Sequence, residues 1–189
     1  MRHGRFILTA ARTGETIGAT AAEIDPDAKV WTVPADRIKA QRDHRVPLAP
    51  RALAILEEMP RGAQYAFPGA RRGKPLSNMA MLAVLERMGC ADVTVHGFRS
   101  TFKDWASERT NFPREVSEAA LAHIVGDKVE AAYRRGDLFD KRRRLMEAWA
   151  EFCASKPASG NVIPIRAGDK SVGHSGSRGE NTAVAMSSE

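Results

Sequence analysis

The sequence predicts an α+β fold that is mainly α-helical, with a small antiparallel sheet near residues 29–48. Apolar residues recur at helical spacing in most of the chain, as in segments 50–59 and 138–154, whereas apolar and polar residues alternate between positions 29 and 48. The hydrophobic content of 43% among 189 residues is enough for the core of one domain and excludes a globally disordered chain.

The predicted sheet rests on two alternating segments, KVWTVP and HRVPL. The residues PADR offer a turn after the first segment, and the polar stretch KAQRD separates it from the second. This arrangement predicts two short hairpins, with Lys39 near the tip of the second.

The helices are predicted from apolar spacing and from residues typical of helix ends. Pro50 stands at a suitable first position, and Ser77 is a suitable N-cap for a helix that Gly89 ends. The segment 11–22 contains few apolar residues and predicts at best a short helix without an upstream partner. The other predicted helices are 50–59, 77–88, 96–108, 113–122, a short one around 128–135, and 138–154.

The end of the chain has a different composition. Residues 156–189 include five Gly, six Ser and two Pro and show no apolar periodicity, which predicts a disordered tail after a folded part of residues 1–155. Cys90 and Cys153 lie far apart and fit neither a metal-ligand spacing nor a disulfide framework. The apolar run in the first residues, MRHGRFILTA, is too short for the hydrophobic region of a signal peptide. A cytoplasmic location is therefore expected.

The charge of the chain is basic. Lys and Arg number 29 against 23 Asp and Glu, which gives a formal net charge of +6. A surface of this kind favours a polyanionic partner such as nucleic acid.

Four polar clusters contain the residues best suited to chemistry: ARTGE, IKAQRDHR, VHGFRSTF and ALAH, the last followed ten residues later by a tyrosine. Their candidate site residues are Arg12, Lys39, His96, Arg99, His123 and Tyr133. The order and types of these residues resemble the catalytic domain of the tyrosine recombinases, specifically of phage and prophage integrases, over residues 7–153. A single His-x-x-Arg pair is weak evidence, but five matched elements in the same order are specific.

The resemblance implies a reaction with DNA. In this family a tyrosine attacks a phosphodiester, forms a 3'-phosphotyrosyl bond and releases a 5'-hydroxyl that later rejoins a strand. By resemblance Tyr133 is the nucleophile, and Arg12 and Arg99 hold the phosphate. An arginine fits that role because its planar, permanently charged fork can bind two phosphate oxygens.

The resemblance also assigns the remaining cations. Lys39 corresponds to the general acid that protonates the leaving 5'-oxygen, although the nearby Arg37, Arg42 and Arg45 are alternatives. The two histidines have phosphate-side roles: the first bonds the phosphate or assists proton removal from the tyrosine, and the second donates to a non-bridging oxygen. They correspond to His96 and His123. No metal and no cofactor are implied, because the basic residues supply the charge that a divalent ion supplies elsewhere.

Several residues have purely structural interpretations. Arg12 is a suitable solvated residue at a helix start, and His123 is suited to capping the preceding helix. The run 141–144, KRRR, is predicted to be a solvated helix face rather than a DNA contact. The core is predicted to contain Phe98, Phe102, Trp105 and Trp149.

The resemblance also shapes the expected domain organisation. A complete integrase has arm-binding and core-binding domains and a helix before the first arginine. Residues 1–155 resemble the catalytic domain alone, so the first helix is expected to be truncated and the other two domains are expected to be absent. The segment ATAAEID lacks the large apolar anchor that is usual there, so a loss of stability is expected. The expected function is strand cleavage and rejoining in prophage integration and excision, weak or absent in this chain alone. A non-catalytic DNA-binding remnant is the alternative, and an interaction domain is a third hypothesis.

The implied partners are double-stranded attachment-site DNA and further recombinase subunits in a tetramer on DNA. The chain alone is expected to be a monomer, because its basic surface repels copies of itself. The last predicted helix carries an apolar stripe at spacings of 7, 4 and 3 residues, formed by Leu138, Leu145, Trp149 and Phe152. The spacing alone leaves open whether this stripe packs on the chain's own core or on a neighbouring subunit.

Overall fold

The sheet is antiparallel and has three strands in the order β1-β2-β3. The computed structural model describes residues 4–38, 41–60, 62–123 and 136–155. The strands are β1 (Ile24–Asp25), β2 (Val30–Val33) and β3 (His44–Pro47). The predicted pairing of the two alternating segments is confirmed, since Val30 lies opposite Pro47 and Val33 lies opposite His44.

The sheet begins earlier in the chain than the alternating pattern predicts. Ile24 pairs with Trp31 and Asp25 with Val30, which adds β1 to the edge of β2. The turn between these strands is closed by Asp25, whose carboxylate accepts a hydrogen bond of 2.8 Å from the backbone N–H of Ala28. A strand of two residues is too short to show alternation, so it could not be predicted.

The helices surround this sheet and supply most of the remaining structure. They are α1 (Gly4–Thr9), α2 (Thr13–Ile17), α3 (Pro50–Glu57), α4 (Asn78–Arg87), α5 (Gly97–Glu108), α6 (Arg114–Ala120) and α7 (Phe139–Ala154). The mainly helical α+β prediction is therefore confirmed. The predicted helix around 128–135 and the predicted tail 156–189 lie outside the described residues.

A helical partner stands before Arg12, contrary to the sequence expectation. Helix α1 packs on α3 and α7. The indole Nε1 of Trp149 in α7 donates a hydrogen bond of 2.6 Å to the carbonyl of Ile7. Six residues carry too little periodicity to predict a helix, and tertiary contacts stabilise this one.

Two apolar cores lie on either side of α1 and α7. The first packs the sheet against α3 and contains Trp31, Val33, Val46, Leu48, Ile55 and Phe67. The second packs α5, α6 and α7 together and contains Phe102, Trp105, Val116, Leu121, Leu145, Met146 and Trp149. Of the predicted core aromatics, Phe98 is only half-buried and belongs to neither core.

The segment ATAAEID is packed despite its small residues. Ala19 is buried and Ile24 packs against the first core. The indole Nε1 of Trp31 donates to the Glu23 carboxylate at 2.9 Å, which places this large ring beside the segment. A small cavity of about 20 Å³ lies beside the segment and is lined in part by Ala19, Ile24 and Trp31.

Helix α7 packs on its own chain. Leu145 and Trp149 are buried in the second core, and Leu138 packs at its margin. Phe152 is half-exposed and stacks on Trp149, with ring centroids 5.5 Å apart. Most of the apolar stripe therefore packs on the chain's own core, and Phe152 is the member that stays exposed.

The basic run 141–144 is not uniformly a solvated face. Arg142 is 1% exposed. Its guanidinium donates to the carboxylate of Asp137 at 2.7 Å and to the backbone carbonyl of Arg45 at 2.6 Å. The prediction was wrong at this residue because both partners lie outside the helix, where the pattern of the run gives no sign of them.

Candidate active site

Arg12 stands at the N-terminal end of α2 in an extended backbone conformation. The carboxylate of Glu15 accepts hydrogen bonds from the Arg12 backbone N–H at 2.8 Å and from its Nη1 at 2.7 Å. Glu15 is buried, whereas the Arg12 side chain is 34% exposed. The carboxylate therefore orients the guanidinium and leaves part of it open to a ligand.

Arg99 lies in the first turn of α5 and is buried. Its Nη1 donates to the carbonyl of Ala10, and its Nη2 donates to the carbonyl of Leu121 at 2.9 Å. Burial, and next the positive charge of Arg12, lower the pKa of Arg99 to about 10, so it remains a cation at neutral pH. The two predicted phosphate-binding arginines are therefore neighbours.

His123 follows the end of α6 and lies beside Arg99. Its Nε2 is 3.4 Å from Arg99 Nη2, and its Nδ1 is 2.7 Å from Glu118 Oε2. The preceding Ala122 adopts a left-handed conformation with φ of 50°, which turns the chain towards Arg99. The His123 backbone N–H also bonds the Glu118 carbonyl at 3.0 Å, so the residue both caps the helix and directs its ring into the site.

Glu118 connects His123 to a lysine of the neighbouring helix. Its carboxylate is buried, and Oε1 lies 2.7 Å from the Nζ of Lys103 and 3.4 Å from the Nε of Arg114. Burial opposes ionisation, but hydrogen bonds and charge from Lys103 and His123 outweigh it and lower the pKa of Glu118 to about 2. Glu118 is therefore a carboxylate at neutral pH.

His96 occupies the N-cap position of α5 rather than its first turn. Its carbonyl accepts a hydrogen bond of 3.0 Å from the Arg99 backbone N–H, and its side chain is exposed. Within the part of the chain that the structure describes, its imidazole forms no hydrogen bond. His96 is thus adjacent to the arginine site through the backbone, and its ring is free to meet a ligand.

Lys39 and Tyr133 lie outside the described residues, so their predicted roles stay predictions. Two of the basic alternatives to Lys39 have structural partners. Arg37 donates to the Glu23 carboxylate and to the Glu15 carbonyl, and Arg45 forms an ion pair of 2.9 Å with Asp137.

His44 is a further histidine near the site. It begins β3, and the charges of Glu15 and Arg12 act on it. Burial, followed by the charge of Arg142, lowers the pKa of His44 to about 4. It is therefore a neutral, structural neighbour of the arginines at pH 7.

The structure brings together three of the predicted residues, Arg12, Arg99 and His123, and surrounds them with groups that sequence reasoning missed, namely Glu15, His44, Lys103 and Glu118. Spacing gives a partial signal for two of them. Glu15 follows Arg12 by three residues and Lys103 follows Arg99 by four, both on one helix face. Glu118 precedes His123 across a helix end, where spacing alone predicts no contact.

No three His, Cys, Asp or Glu side chains among the described residues lie close enough together to hold a metal ion. None of the helices they form has both the length and the apolar content needed to cross a membrane.

Residues 6–137 match the model of the phage integrase family. The match covers more than half of the chain, and the protein therefore belongs to the phage integrase family, the phage-type branch of the tyrosine recombinases.

Known proteins show the same relationship. The chain is 39% identical over 162 residues to prophage integrase IntA of Escherichia coli K12, covering 83% of this chain and 39% of that protein. It is 34% identical over 164 residues to prophage integrase IntZ of the same organism, covering 85% and 40%. The chain thus spans about two fifths of the length of these curated relatives. The integrase from mycobacterium phage Brujita shares its fold, with a TM-score of 0.59, 24% identity, and coverage of 77% of this chain and 50% of that one.

Proposed function

We propose that this chain carries the catalytic centre of a tyrosine site-specific recombinase, which cleaves and rejoins DNA strands in prophage integration and excision through a 3'-phosphotyrosyl intermediate. The convergence of Arg12, Arg99 and His123 carries this proposal. Three groups from distant parts of the chain meet at one place, and two of them, Arg12 and His123, are exposed by 34% and 44%. The names of the relatives IntA and IntZ support integration as the biological setting.

The two arginines suit a phosphate that gains negative charge during the reaction. The transition state of phosphoryl transfer spreads charge over the non-bridging oxygens, and fixed donors stabilise it without reorganisation. Arg99 is fixed by two backbone carbonyls and Arg12 by Glu15. Both guanidiniums are therefore held in place before DNA binds.

Lys39 is the proposed general acid for the leaving 5'-oxygen. A single ammonium on a flexible stem can follow that oxygen and give up a proton. The partners of Arg37 and Arg45 support this choice, because a side chain held by an ion pair cannot move freely to a leaving group. Arg42 is exposed and is the remaining basic alternative.

The histidines act on the same phosphate in this proposal. His123 donates from Nε2 to a non-bridging oxygen, which agrees with the position of that nitrogen beside Arg99. His96 is exposed at the start of α5, one helical turn from Arg99, and bonds the phosphate or assists proton removal from the nucleophile. Tyr133 is the proposed nucleophile, and its phenol, with an ordinary pKa near 10, depends on surrounding positive charge for its reactivity.

Double-stranded attachment-site DNA and further subunits are the proposed partners. Recombination between two duplexes requires four active sites in the resembled family, and we place it on chromosomal DNA in the bacterial cytoplasm. The chain spans about two fifths of its curated relatives, so the activity of the whole protein is part of this proposal.

The nucleophile can be tested by covalent trapping on a nicked suicide substrate. Wild-type chain should form a protease-sensitive, gel-shifted DNA adduct, and Tyr133→Phe should abolish it because the variant lacks the attacking oxygen. Tyr65→Phe is the matched control, since Tyr65 is the other of the two tyrosines and lies half-buried beside the loop at Phe67. An adduct with Tyr133→Phe would refute the assignment, and salt-dependent DNA binding without any wild-type adduct would favour the non-catalytic remnant.

A further inference from the structure

We propose that Glu118 is a positioning residue, which holds the imidazole of His123 in one tautomer and one orientation so that Nε2 faces the phosphate site beside Arg99. This inference rests on the proposed function. It adds a residue that the sequence motifs do not contain, and it explains how an exposed histidine on a helix end acquires a defined direction.

The contact geometry defines the tautomer. A carboxylate has no proton to donate, so the 2.7 Å contact between Glu118 Oε2 and His123 Nδ1 requires a proton on Nδ1. The hydrogen bond of one ring nitrogen determines the state of the other. Nε2 is therefore the nitrogen that meets Arg99 Nη2 at 3.4 Å and, when DNA is bound, the phosphate.

The negative charge of the Glu118 carboxylate also helps to hold the His123 ring. Glu118 is faced by Lys103 from α5, by Arg114 of its own helix and by His123, while Arg99 lies on the far side of the ring. The lowered pKa of Glu118, to about 2, keeps it negative in neutral solution. Because Nδ1 holds its proton in this contact, Nε2 can donate to a phosphate oxygen only when the ring carries a second proton, and the carboxylate lies next to the positive charge of that form.

Lys103 keeps the carboxylate itself in position. Its Nζ lies 2.7 Å from Glu118 Oε1 and donates to Ser117 Oγ at 3.0 Å. The two oxygens of Glu118 thus have different partners, one on α5 and one on His123. A neutral amide cannot accept hydrogen bonds at both positions.

The helix end does not need this side chain for its own stability. Backbone bonds close the turn, with the His123 N–H on the Glu118 carbonyl at 3.0 Å and the Leu121 N–H on the Ser117 carbonyl at 3.1 Å. Val116 and Leu121 anchor α6 in the second core. Orientation of the ring is therefore the distinctive contribution of the Glu118 carboxylate.

The kinetic test compares Glu118→Gln with Glu115→Gln in the full 189-residue chain. Glu115 lies on the same helix and is exposed, so the control removes the same charge away from the site. Glu118→Gln should slow adduct formation on the suicide substrate by about 10- to 100-fold, which is less than the loss of a positioned acid–base group itself because the histidine remains. DNA affinity should change by less than about two-fold, because the phosphate-binding cations remain. Glu115→Gln should cleave like wild type.

A double-mutant cycle separates positioning from general structural damage. If Glu118 acts through His123, Glu118→Gln should have almost no further effect in a His123→Ala background. An equally large loss in that background would overturn the proposal. So would wild-type cleavage by Glu118→Gln when His123→Ala alone is impaired.

Nitrogen-15 NMR of the His123 ring gives a readout that does not depend on cleavage. In the neutral ring of wild type, Nδ1 should carry the proton, and Glu118→Gln should shift the ring signals towards the other tautomer. A wild-type proton on Nε2, or unchanged ring signals in Glu118→Gln, would overturn the inference even if the variant's activity fell. If wild type forms no adduct, the proposed function fails while these spectra still decide whether Glu118 orients His123.

Discussion

Arg12 and Arg99 have the same side chain but different surroundings. Arg99 is buried, and its two terminal nitrogens donate to the carbonyls of Ala10 and Leu121. Arg12 is partly exposed and bonds one carboxylate. Because a guanidinium has five N–H donors, Arg99 can join three chain segments and still present N–H groups to a phosphate. A lysine ammonium has three donors and would have only one left after bonding both carbonyls.

His44 gives the folded state a specific dependence on pH. Burial, and next Arg142, lower its pKa from 6.5 to about 4, so below pH 6.5 the unfolded chain takes up a proton that the folded chain excludes. The stability that the neutral His44 side chain contributes to the folded state is complete above pH 6.5 and is lost as the pH falls towards 4. We expect the free energy of unfolding to fall by about 2 kcal/mol between about pH 7 and pH 5.

Urea unfolding at the two pH values checks this expectation. His44→Gln should remove the difference, and His96→Gln should retain it because His96 is exposed. Glu118 does not interfere, since its lowered pKa affects stability only between pH 4.5 and about 2. A pH dependence that survives in His44→Gln would contradict the assignment.

Arg12, Arg99 and His123 could be singled out from the sequence as candidates for one site, and the groups that contact them could not. The three residues occur in motifs that resemble those of the family, where the proposed phosphate contacts require particular residue types. Glu118 and His44 stand in ordinary segments, and their significance depends on burial and on contacts between distant elements. One-dimensional spacing carries no such information.

At the scale of elements, prediction was best where one helix or strand pair contains its own signals. Pro50 begins α3 and Gly89 follows α4, as expected from their backbone preferences. Ser77 is the N-cap residue of α4, as predicted. Its hydroxyl forms no capping hydrogen bond, so the physical reason for expecting a serine at this position does not apply. Arg142 was misread because its partners belong to other segments.

Arg142 anchors the start of α7 to the sheet. Its three nitrogens donate to Asp137 and to the carbonyl of Arg45, which ties the residues that follow position 135 to β3. Arg142→Met should lower the free energy of unfolding by about 2 to 3 kcal/mol, because it removes charged hydrogen bonds from a buried group. Chemical denaturation measures the loss.

Arg144→Met is the matched control for that variant. Arg144 lies on the same helix two residues later and is exposed, so its substitution should change stability by less than about 0.5 kcal/mol. Equal stability of the two variants would show that the basic run is a solvated face throughout.

The whole molecule presents a basic surface with a net charge of +6. We expect it to bind double-stranded DNA weakly and with little sequence preference, with a Kd of roughly 10⁻⁴ to 10⁻⁶ M at physiological salt. If about four phosphates are neutralised, affinity should fall on the order of 100-fold between about 50 and 200 mM salt. Fluorescence anisotropy at several salt concentrations measures both quantities.

Replacing Arg12 should weaken the salt dependence of DNA binding by the equivalent of one phosphate contact. Arg12→Gln removes an exposed cation from the site, so the slope of log affinity against log salt should become less negative by about one unit. Binding that does not respond to salt would contradict a phosphate-directed surface and favour the interaction-domain hypothesis.

The hydrogen bond between Trp149 and the carbonyl of Ile7 joins residues 142 positions apart. At a synthesis rate of about 5 to 20 residues per second, Trp149 is made roughly 7 to 30 seconds after Ile7, and the hydrogen bond that holds α1 cannot form before then. Arg12 and Arg99 are joined through the segment that α1 leads into, so their final arrangement comes late in the life of the nascent chain. Ribosome-bound intermediates that end before α7 should therefore lack the final arrangement of Arg12 and Arg99, which forms only after the residues of α7 have been made.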